Sequence, residues 1–532
     1  MQWLVGLLLL GFSFTLWMTI GGIRFAQTYL VPVTPDRQQR HSARKKEGHG
    51  STNGLTSLSP VDVAVLIPAH NEELTIGATL QSAMRLVPVS NIHVIADGCN
   101  DDTAAIARLH GANVLTLSPA QGKAAGIEAA VQHFSICRRF AVLLILDADT
   151  QLDENYLRRG LALLDDPEMG AVAGYAHTTW RPDQLNISGR FLVAYRTRLY
   201  AVMQWIKYGQ TWRYTNVTPI VPGFASMYRT RAVSRMELNP PGLVIEDFNM
   251  TFELHRKRLG KVAFEPSVFG RTQDPDNLND YYRQIMRWWL GFWQTLRRHG
   301  LWWSWFWAVL CIFLVEVLIA SIVLTLAAVA VIVIAAAPIS GGLMLEMAWY
   351  TTFYDTISPV LTPTNLLLFA FVPDYALTCA VAIWMRRPSL LIYGFGFLFI
   401  RVIDSAAALW TLQQSWRKRS TGRWRSPRRR TVSVPRHEDG ILEARPGESA
   451  VATSLAATVG TTTSMEGRHR RLFFTPQAMP VLRDTLLVST LLAVATWIVM
   501  VAVPVTVALA VGLMALVIGV VWSHLRQVRR AE

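Results

Sequence analysis

The chain has 532 residues, of which 51% are hydrophobic and 17% are charged, and its formal net charge is +14. This composition is too apolar for an ordinary soluble enzyme of this length, so a membrane protein is expected. Lys and Arg gather beside apolar segments, which indicates membrane topology rather than a nucleic-acid partner. The four cysteines lack the paired spacing of a zinc site or a disulfide framework.

The N-terminal segment predicts a transmembrane anchor over residues 1–23. Residues 3–22 carry no charge, and a bilayer is crossed by about 20 such residues. No basic segment precedes this run, whereas several Arg and Lys residues follow it, beginning with Arg24. This pattern favours an uncleaved anchor with its N-terminus outside over a cleaved signal peptide. Residues 24–60 are expected to form a basic linker.

Residues 61–299 predict an α/β domain. Short runs rich in Val, Ile and Leu are expected to form strands at Val63 to Ile67, Ile92 to Ala96, Ala112 to Leu117 and Val142 to Leu146. Helix-like stretches separate them at Glu73 to Arg85, Thr103 to His110 and Lys123 to His133. Such alternation predicts a mostly parallel, Rossmann-type sheet with ligands at the carboxyl ends of its strands.

Polar residues follow the first three predicted strands. Glu72 lies in the turn after the first, and residues of this turn can cap the next helix. Asp97 ends the second, where an acid either forms a turn or meets the sugar or base of a nucleotide. Lys123 begins a helix after Gly122, a position suited to phosphate, although a single Gly-Lys pair is common.

Asp147 and Asp149 end the fourth predicted strand. Unpaired burial of two carboxylates would be costly, so a cation is expected to meet them. Hard oxygen ligands suit Mg²⁺ or Mn²⁺, which bind one or two protein carboxylates together with phosphate oxygens. The alternative is a pair of solvated loop acids.

Glu246 and Asp247 precede a helix-like stretch. Either acid can favour a helix N-terminus, and a carboxylate here can also remove a proton from an attacking hydroxyl. Asp247 is the candidate base. Gly223 begins an upstream segment of small residues that would let a substrate approach closely.

Gln284, Arg287 and Trp288 are spaced to lie on one face of a helix. A guanidinium suits phosphate oxygens, and an indole suits the apolar face of a sugar ring. The alternative is an interfacial membrane helix, because six further Trp residues follow by residue 307.

Together these signatures resemble the family-2 glycosyltransferases, specifically the membrane-embedded processive synthases. They are PAHNEE from Pro68, ADGCNDD from Ala96, GKA from Gly122, DAD from Asp147, IED from Ile245 and QIMRW from Gln284. The likeness is nearest to poly-N-acetylglucosamine synthases, followed by the hyaluronan, chitin and cellulose types. Ile245 stands where the family commonly has Thr, and Gly98 to Asp102 depart from its Gly-Ser-Thr-Asp-Gly.

The resemblance implies a GT-A-like domain and a role for each site residue. It implies nucleotide-sugar binding by Pro68, Ala69, Glu72, Asp97, Lys123 and Asp147. It also implies a metal on Asp149, catalysis by Glu246 and Asp247, and acceptor or diphosphate binding by Gly223, Gln284, Arg287 and Trp288.

Membrane segments are predicted after the catalytic domain. Residues 300–412 are expected to hold interfacial and transmembrane helices, 413–481 a basic and then low-complexity cytoplasmic loop, and 482–525 a transmembrane hairpin. Glu316 is expected either to line a polymer path or to lie at the lipid interface. Arg401 and Asp404 make 390–412 ambiguous. Either this is an interfacial or re-entrant segment, or an additional crossing lies near Gly341 to Thr362.

The predicted protein is a multi-pass plasma-membrane enzyme with a cytoplasmic catalytic domain. It would transfer a sugar, GlcNAc in the first instance, from a UDP-sugar to a growing polysaccharide and couple synthesis to export. The candidate partners are the donor, a polysaccharide or lipid-linked acceptor, the bilayer and accessory export subunits. The alternatives are a single-addition transferase acting on a polyprenyl phosphate and a non-catalytic membrane scaffold.

Overall fold

The computed structural model describes residues 58–208, residues 217–417 and Arg430. The predicted anchor 1–23, nearly all of the linker 24–60 and the hairpin 482–525 lie outside the described residues. Most of the predicted loop 413–481 also lies outside them.

Strands and helices alternate through the first half of the described chain. The strands are β1 Val63–Ala69, β2 Ile92–Asp97, β3 Asn113–Leu117, β4 Val142–Leu146, β5 Gln151–Leu152, β6 Met169–Thr178, β7 Ala225–Arg229 and β8 Lys261–Thr272. The helices up to the end of β8 are α1 Ile76–Met84, α2 Thr103–Leu109, α3 Lys123–His133, α4 Ile136–Arg139, α5 Tyr156–Leu164, α6 Ile187–Tyr200, α7 Thr230–Val233 and α8 Glu246–Arg256. A π-helical segment, Ala201–Tyr208, continues α6.

Among the described residues, the segments after β8 are helical. They are α9 Leu278–His299, α10 Trp305–Ile339, α11 Ala348–Ile357, α12 Pro363–Leu366, α13 Val372–Trp384, α14 Ser389–Tyr393 and α15 Phe397–Arg417. Two of the long helices begin with side-chain caps that satisfy free backbone N–H groups. Asn277 accepts from the backbone N–H of Asp280 at α9, and Ser304 accepts from that of Trp307 at α10.

The sheet has the strand order β3-β2-β1-β4-β7-β6-β8-β5. Strands β1 to β4 pair in parallel, which agrees with the predicted Rossmann-type arrangement. Strand β7 is antiparallel to both β4 and β6, and β5 is antiparallel to β8. The α/β class is therefore confirmed. The sheet is mixed rather than mostly parallel, because β5 and β7 each run antiparallel to strands that are distant in sequence.

The predicted bounds agree closely with the observed ones in the first half of the domain. Strand β4 and helix α3 begin and end at the predicted residues, and β1 and β2 extend one or two residues beyond them. Every residue of β1 is buried, with alternate side chains on opposite faces of the sheet. Val63, Val65 and Ile67 pack in one core cluster, while Ala64 and Leu66 pack in the other. A strand covered on both faces is expected to be apolar throughout.

Two helical segments of the described chain are long and apolar enough to cross a bilayer, namely Trp305–Ile339 and Ser389–Arg417. In the most apolar window of the first, 11% of the residues are buried, so this helix is not packed inside a protein core. Glu316 is an exception on that helix, because it is buried and therefore does not face lipid.

The charges in the ambiguous segment 390–412 have protein partners. Asp404 accepts hydrogen bonds from the hydroxyls of Tyr195 and Tyr281, at 2.7 and 2.6 Å. The guanidinium of Arg401 lies 2.7 Å from a carboxylate oxygen of Asp374 on α13. The segment is helical, and its polar side chains connect α15 to α6, α9 and α13 of the described chain.

Candidate active site

The sheet brings the loops that carry Asp97, Asp147 and Gly223 to one edge. Strands β1, β2 and β4 are parallel, so their carboxyl ends lie together. Strand β7 is antiparallel to β4, which places the start of β7 at the same edge. The backbone N–H of Asp147 donates to the carbonyl of Phe224 at 2.8 Å across this edge. Loops that are distant in sequence therefore meet there.

Lys123 joins three of the sequence signatures, GKA, DAD and IED, and also contacts the loop at Gly223. Its ammonium nitrogen lies 2.7 Å from a carboxylate oxygen of Asp147 and 2.7 Å from one of Glu246. It also donates to the carbonyl of Gly223 at 3.2 Å. Burial would lower the pKa of Lys123, but the two carboxylates outweigh this effect and raise the pKa above its ordinary value.

Glycine is required at residue 223 because three side chains approach its backbone. A Cβ atom there would lie 2.9 Å from an oxygen of Glu246, 3.2 Å from the nitrogen of Lys123 and 3.3 Å from Cβ of Asp247. The absence of a side chain at Gly223 therefore lets this loop close onto the charged cluster.

Asp247 is half-buried beside this cluster. Its carboxylate accepts hydrogen bonds from the backbone N–H of Gly223 at 3.1 Å and of Phe248 at 2.7 Å. Burial, followed by the negative charge of Glu246, raises the pKa of Asp247 to about 7, although Lys123 acts in the opposite direction. A carboxylate with such a pKa is suited to accept a proton near neutral pH.

Asp97 anchors the loop that leads to Lys123. Its two carboxylate oxygens accept hydrogen bonds from the backbone N–H groups of Gln121 and Gly122, each at 2.7 Å. These contacts place a negative charge at the N-terminus of α3, where the helix dipole stabilises it. The sequence did not predict this role. Each oxygen retains further lone pairs, so a contact with a nucleotide is compatible with it.

The turn after β1 is hydrogen-bonded to the turn after β2. Pro68 and Ala69 belong to β1 and pair with Ile95 and Ala96 of β2. The ring Nδ1 of His70 lies 2.5 Å from the carbonyl oxygen of Asp97.

The rest of this turn is held in the same way. Asn71 has a φ of 55°, and its side chain accepts from the backbone N–H of Asn100 at 2.8 Å. The backbone N–H of Glu72 donates to the hydroxyl of Thr103 at 2.8 Å, and Glu72 is itself buried. The two predicted nucleotide-binding turns are therefore one hydrogen-bonded unit.

Asp149 has a different environment from Asp147. Whereas Asp147 is paired with Lys123, Asp149 accepts hydrogen bonds from the neutral hydroxyls of Thr150 and Thr272, at 3.1 and 3.4 Å. No cluster of three or more His, Cys, Asp or Glu side chains within the described ranges is arranged to hold a metal. A divalent cation on Asp149 would therefore need oxygen ligands from substrate, which fits the habit of Mg²⁺ in phosphate sites.

Gln284 and Trp288 contact a residue that the sequence did not single out. Arg196 of α6 donates a hydrogen bond to the side-chain oxygen of Gln284, and its guanidinium carbon lies 4.4 Å from the ring centroid of Trp288. Arg287 lies on the same helix and is half-buried. The observed contacts of Gln284 and Trp288 thus run to α6 rather than to the cluster around Lys123.

Arg196 and Asp274 are the main site residues that sequence reasoning missed. Arg196 and Arg198 interrupt the apolar and aromatic run of α6, and two charges in such a run indicate burial with acidic partners. That signal was available. The sequence did not indicate which acids would pair with these arginines, because Asp274 and Asp374 are separated from them by long stretches of sequence.

Part of this chain is similar to known glycosyltransferases. The family described as "Glycosyl transferase family group 2" matches residues 142–340. A probable glycosyltransferase of Bacillus subtilis is 26% identical over 239 residues, which are 42% of this chain and 54% of that protein. A dolichyl-phosphate hexose transferase of Haloferax volcanii is 34% identical over 112 residues, which are 21% of this chain and 47% of that protein. The chain thus spans about half the length of the curated relatives it matches.

Solved structures with similar folds include two nucleotide-sugar complexes. A mannosyltransferase from Pyrobaculum calidifontis with GDP-Man and Mn²⁺ has 16% identity and a TM-score of 0.39, covering 74% of this chain and 99% of that one. Glucosyl-3-phosphoglycerate synthase from Mycobacterium tuberculosis with Mn²⁺, UDP-Glc and phosphoglyceric acid has 18% identity and a TM-score of 0.30, covering 46% and 81%. Residues 142–340 of this chain are thus similar to the family-2 glycosyltransferases.

Proposed function

We propose that this protein is a membrane-bound, inverting glycosyltransferase that transfers a sugar from a UDP-sugar to a growing polysaccharide. The observation that carries the proposal is the meeting of Lys123, Asp147, Gly223 and Glu246 within hydrogen-bonding distance at one sheet edge. In the proposal the donor is UDP-GlcNAc, the fold is GT-A-like, and the catalytic domain faces the cytoplasm of a multi-pass plasma-membrane protein that couples synthesis to export.

The proposed base is Asp247. In an inverting transfer the acceptor hydroxyl attacks the anomeric carbon, its proton moves to the base, and UDP leaves from the opposite face. A pKa of about 7 leaves a useful fraction of the Asp247 carboxylate free to accept that proton. Glu246 supports this role, because its charge raises the pKa of Asp247 while it holds Lys123.

The donor is proposed to bind at the paired turns and Lys123. Pro68, Ala69 and Glu72 would border the nucleotide together with Asp97, and Lys123 would lie near its diphosphate. Asp149 would hold Mg²⁺ or Mn²⁺ jointly with the diphosphate oxygens, and the cation would offset charge on the leaving UDP.

The acceptor is proposed to bind beside Gly223 and the exposed part of α9. Gln284 and Trp288 would contact its sugar ring, and Arg287 would contact phosphate oxygens. The half-buried state of all three α9 residues supports this proposal, because each keeps some surface for a ligand.

A polyprenyl phosphate is the second candidate acceptor. The similarity to a dolichyl-phosphate hexose transferase favours it, although that match spans 112 residues. Such an enzyme would add one sugar to a lipid, whereas a synthase would release a polymer. The length of the product therefore separates the two candidates.

The decisive assay uses the full chain purified in lipid. UDP-GlcNAc, UDP-Glc and UDP-GlcA are supplied in turn with Mg²⁺ or Mn²⁺, and the product is digested with linkage-specific glycosidases. The proposal predicts metal-dependent UDP release and a digestible polymer from UDP-GlcNAc. Release of UDP with a single-sugar lipid product would select the second candidate, and no UDP release from any donor would overturn both.

Asp247→Asn tests the assignment of the base in the same preparation. We expect transfer to be abolished while UDP-sugar affinity, measured by calorimetry, is retained. Undiminished product formation by this variant would rule out Asp247 as the base.

A further inference from the structure

Arg196 is a buried cation at the centre of an aromatic cage. It is fully buried on α6, and its guanidinium carbon lies 4.4 Å from the ring centroid of Trp288 and 4.7 Å from that of Tyr281. The same guanidinium donates to the side-chain oxygen of Gln284. One side chain of α6 therefore contacts both the amide and the indole of the Gln-x-x-Arg-Trp segment on α9.

The polar atoms of this cage are incompletely satisfied. Nε and Nη1 of Arg196, and Oδ2 of Asp274, have no hydrogen-bond partner among the described residues although all three are buried. Nε lies 3.9 Å from Oδ1 of Asp274, an oxygen that already accepts from the hydroxyl of Tyr200 at 2.9 Å. A buried ion pair with unmet hydrogen bonds is a poor source of stability compared with apolar packing of similar volume. Stability alone does not explain an arginine here.

The cage also connects the two halves of the candidate active site. Asp274 follows Thr272 by two residues, and the hydroxyl of Thr272 contacts Asp149. Gln284 and Trp288 lie about two to three turns into α9, which begins just after this segment. Arg196 is thus placed between the metal-binding side of the site and the helix assigned to the acceptor.

We propose that Arg196 is a positioning residue that holds Gln284 and Trp288 in the orientation that binds the acceptor. This inference rests on the proposed function. A guanidinium is suited to the task because it is planar, stacks on an aromatic face and donates in a fixed fork, whereas an ammonium offers only a point charge. Charge alone at residue 196 is therefore insufficient.

Arg196→Lys and Arg196→Met test the proposal by binding, independently of turnover. The full chain in lipid nanodiscs is titrated with UDP, and separately with β-linked N-acetylglucosamine oligosaccharides and with a short-chain polyprenyl phosphate. We expect the affinity for whichever acceptor the wild-type protein binds to fall at least about tenfold in both variants, which corresponds to about 1.4 kcal/mol. UDP affinity should stay within about twofold, because no donor contact is assigned to Arg196.

Two further variants make the result decisive. Arg190→Met removes another arginine from α6 and should leave acceptor affinity unchanged, since Arg190 bonds to the carbonyl of Leu185 in its own segment. If Arg196→Met fails to fold because Asp274 is left as an uncompensated charge, the double variant Arg196→Met with Asp274→Asn removes that charge.

The outcomes separate the inference from the proposed function. Acceptor affinity that is unchanged in Arg196→Lys, or that falls together with UDP affinity and melting temperature, overturns the positioning role. A wild-type protein that binds UDP but neither acceptor also overturns it, because α9 would then be no acceptor site. Failure of the wild-type protein to bind UDP would instead reject the proposed function.

Discussion

The charge of Lys123 is stabilised by neighbouring carboxylates, and its position is fixed by Asp97. Two carboxylates lie 2.7 Å from its ammonium, and Asp97 fixes the backbone immediately before it. Because Asp147 and Glu246 face the same cation, removal of Lys123 leaves two adjacent negative charges in a partly buried site. The loss is then larger than that of a surface ion pair.

Lys123→Met is expected to lower the free energy of unfolding at pH 7 by about 3–5 kcal/mol. Lys261→Met is the matched control, because Lys261 pairs with Glu168 at an exposed position. This substitution should lower the free energy of unfolding by at most about 1 kcal/mol. Denaturant unfolding at pH 7 measures both effects, and equal losses in the two variants would contradict the burial argument.

Asp247 predicts a pH dependence with a definite sign. Its pKa in the folded protein is raised to about 7, so the base is protonated and inactive at lower pH. We therefore expect kcat/KM to rise with pH through an inflection near 7, and residual activity of Asp247→Asn to lack this inflection. A flat profile between pH 5 and 8 for the wild-type protein would argue against this base.

The same raised pKa predicts a trend in stability. Between the ordinary carboxyl pKa near 4 and the folded value near 7, folded Asp247 keeps a proton that the unfolded chain releases, so the free energy of unfolding falls as the pH rises. Asn does not titrate. The melting temperature of Asp247→Asn, relative to the wild-type protein, should therefore increase from pH 5 to pH 8, and a constant difference would contradict the shift.

Helix α9 packs against the acidic motif through a glycine. A Cβ atom at Gly291 would lie 2.8 Å from Ile245, the residue immediately before Glu246. The side chain of Ile245, which stands where the resembled family commonly has Thr, therefore lies against the backbone of α9. This contact couples the position of α9 to that of the proposed base.

Gly291→Ala should destabilise the protein by about 1–3 kcal/mol through overpacking, and it should reduce transfer, because α9 or the acidic motif must shift. Gly77→Ala on α1 is the control. Its Cβ would meet nothing closer than 3.8 Å, so the gain in helix propensity should leave stability equal or higher. Thermal melting and the transfer assay check both variants, and equal behaviour of the two would refute the packing contact.

Helices α10 and α15 differ in the side chains that they expose. Helix α10 exposes much of its apolar surface. On α15, by contrast, Asp404 accepts hydrogen bonds from Tyr195 and Tyr281, and Arg401 pairs with Asp374. Exposed apolar side chains along a long helix suit lipid, and charges that face protein avoid it. This division supports the proposed membrane location.

Ile332→Lys tests that location. The side chain of Ile332 is 71% exposed in the last third of α10, and a Lys in a membrane helix costs at most about 2.5–3.5 kcal/mol, the value at the helix centre. We expect less protein in the membrane fraction after alkaline extraction. Ile187→Lys is the matched control on α6, where the isoleucine is 82% exposed, and it should have no effect. Wild-type protein in the soluble fraction would reject the membrane proposal.

Local sequence was sufficient for the parallel half of the sheet and for the order of the polar signatures. Strand β4 and helix α3 could be delimited from apolar runs because each pattern extends over adjacent residues. The carboxyl-end rule for parallel strands then indicated that Asp97, Asp147 and Lys123 would gather at one edge. Their individual roles stay predictions.

The partners of these residues emerge only when the chain is folded. Arg196 meets Gln284 across 88 residues of sequence, Arg198 meets Asp374 across 176, and Tyr195 meets Asp404 across 209. Strands β7 and β5 are also far in sequence from the strands to which they pair in antiparallel fashion. Side-chain periodicity reveals which face of an element is buried, but it carries no information about which distant element covers that face. Three-dimensional packing alone assigns each buried charge its partner.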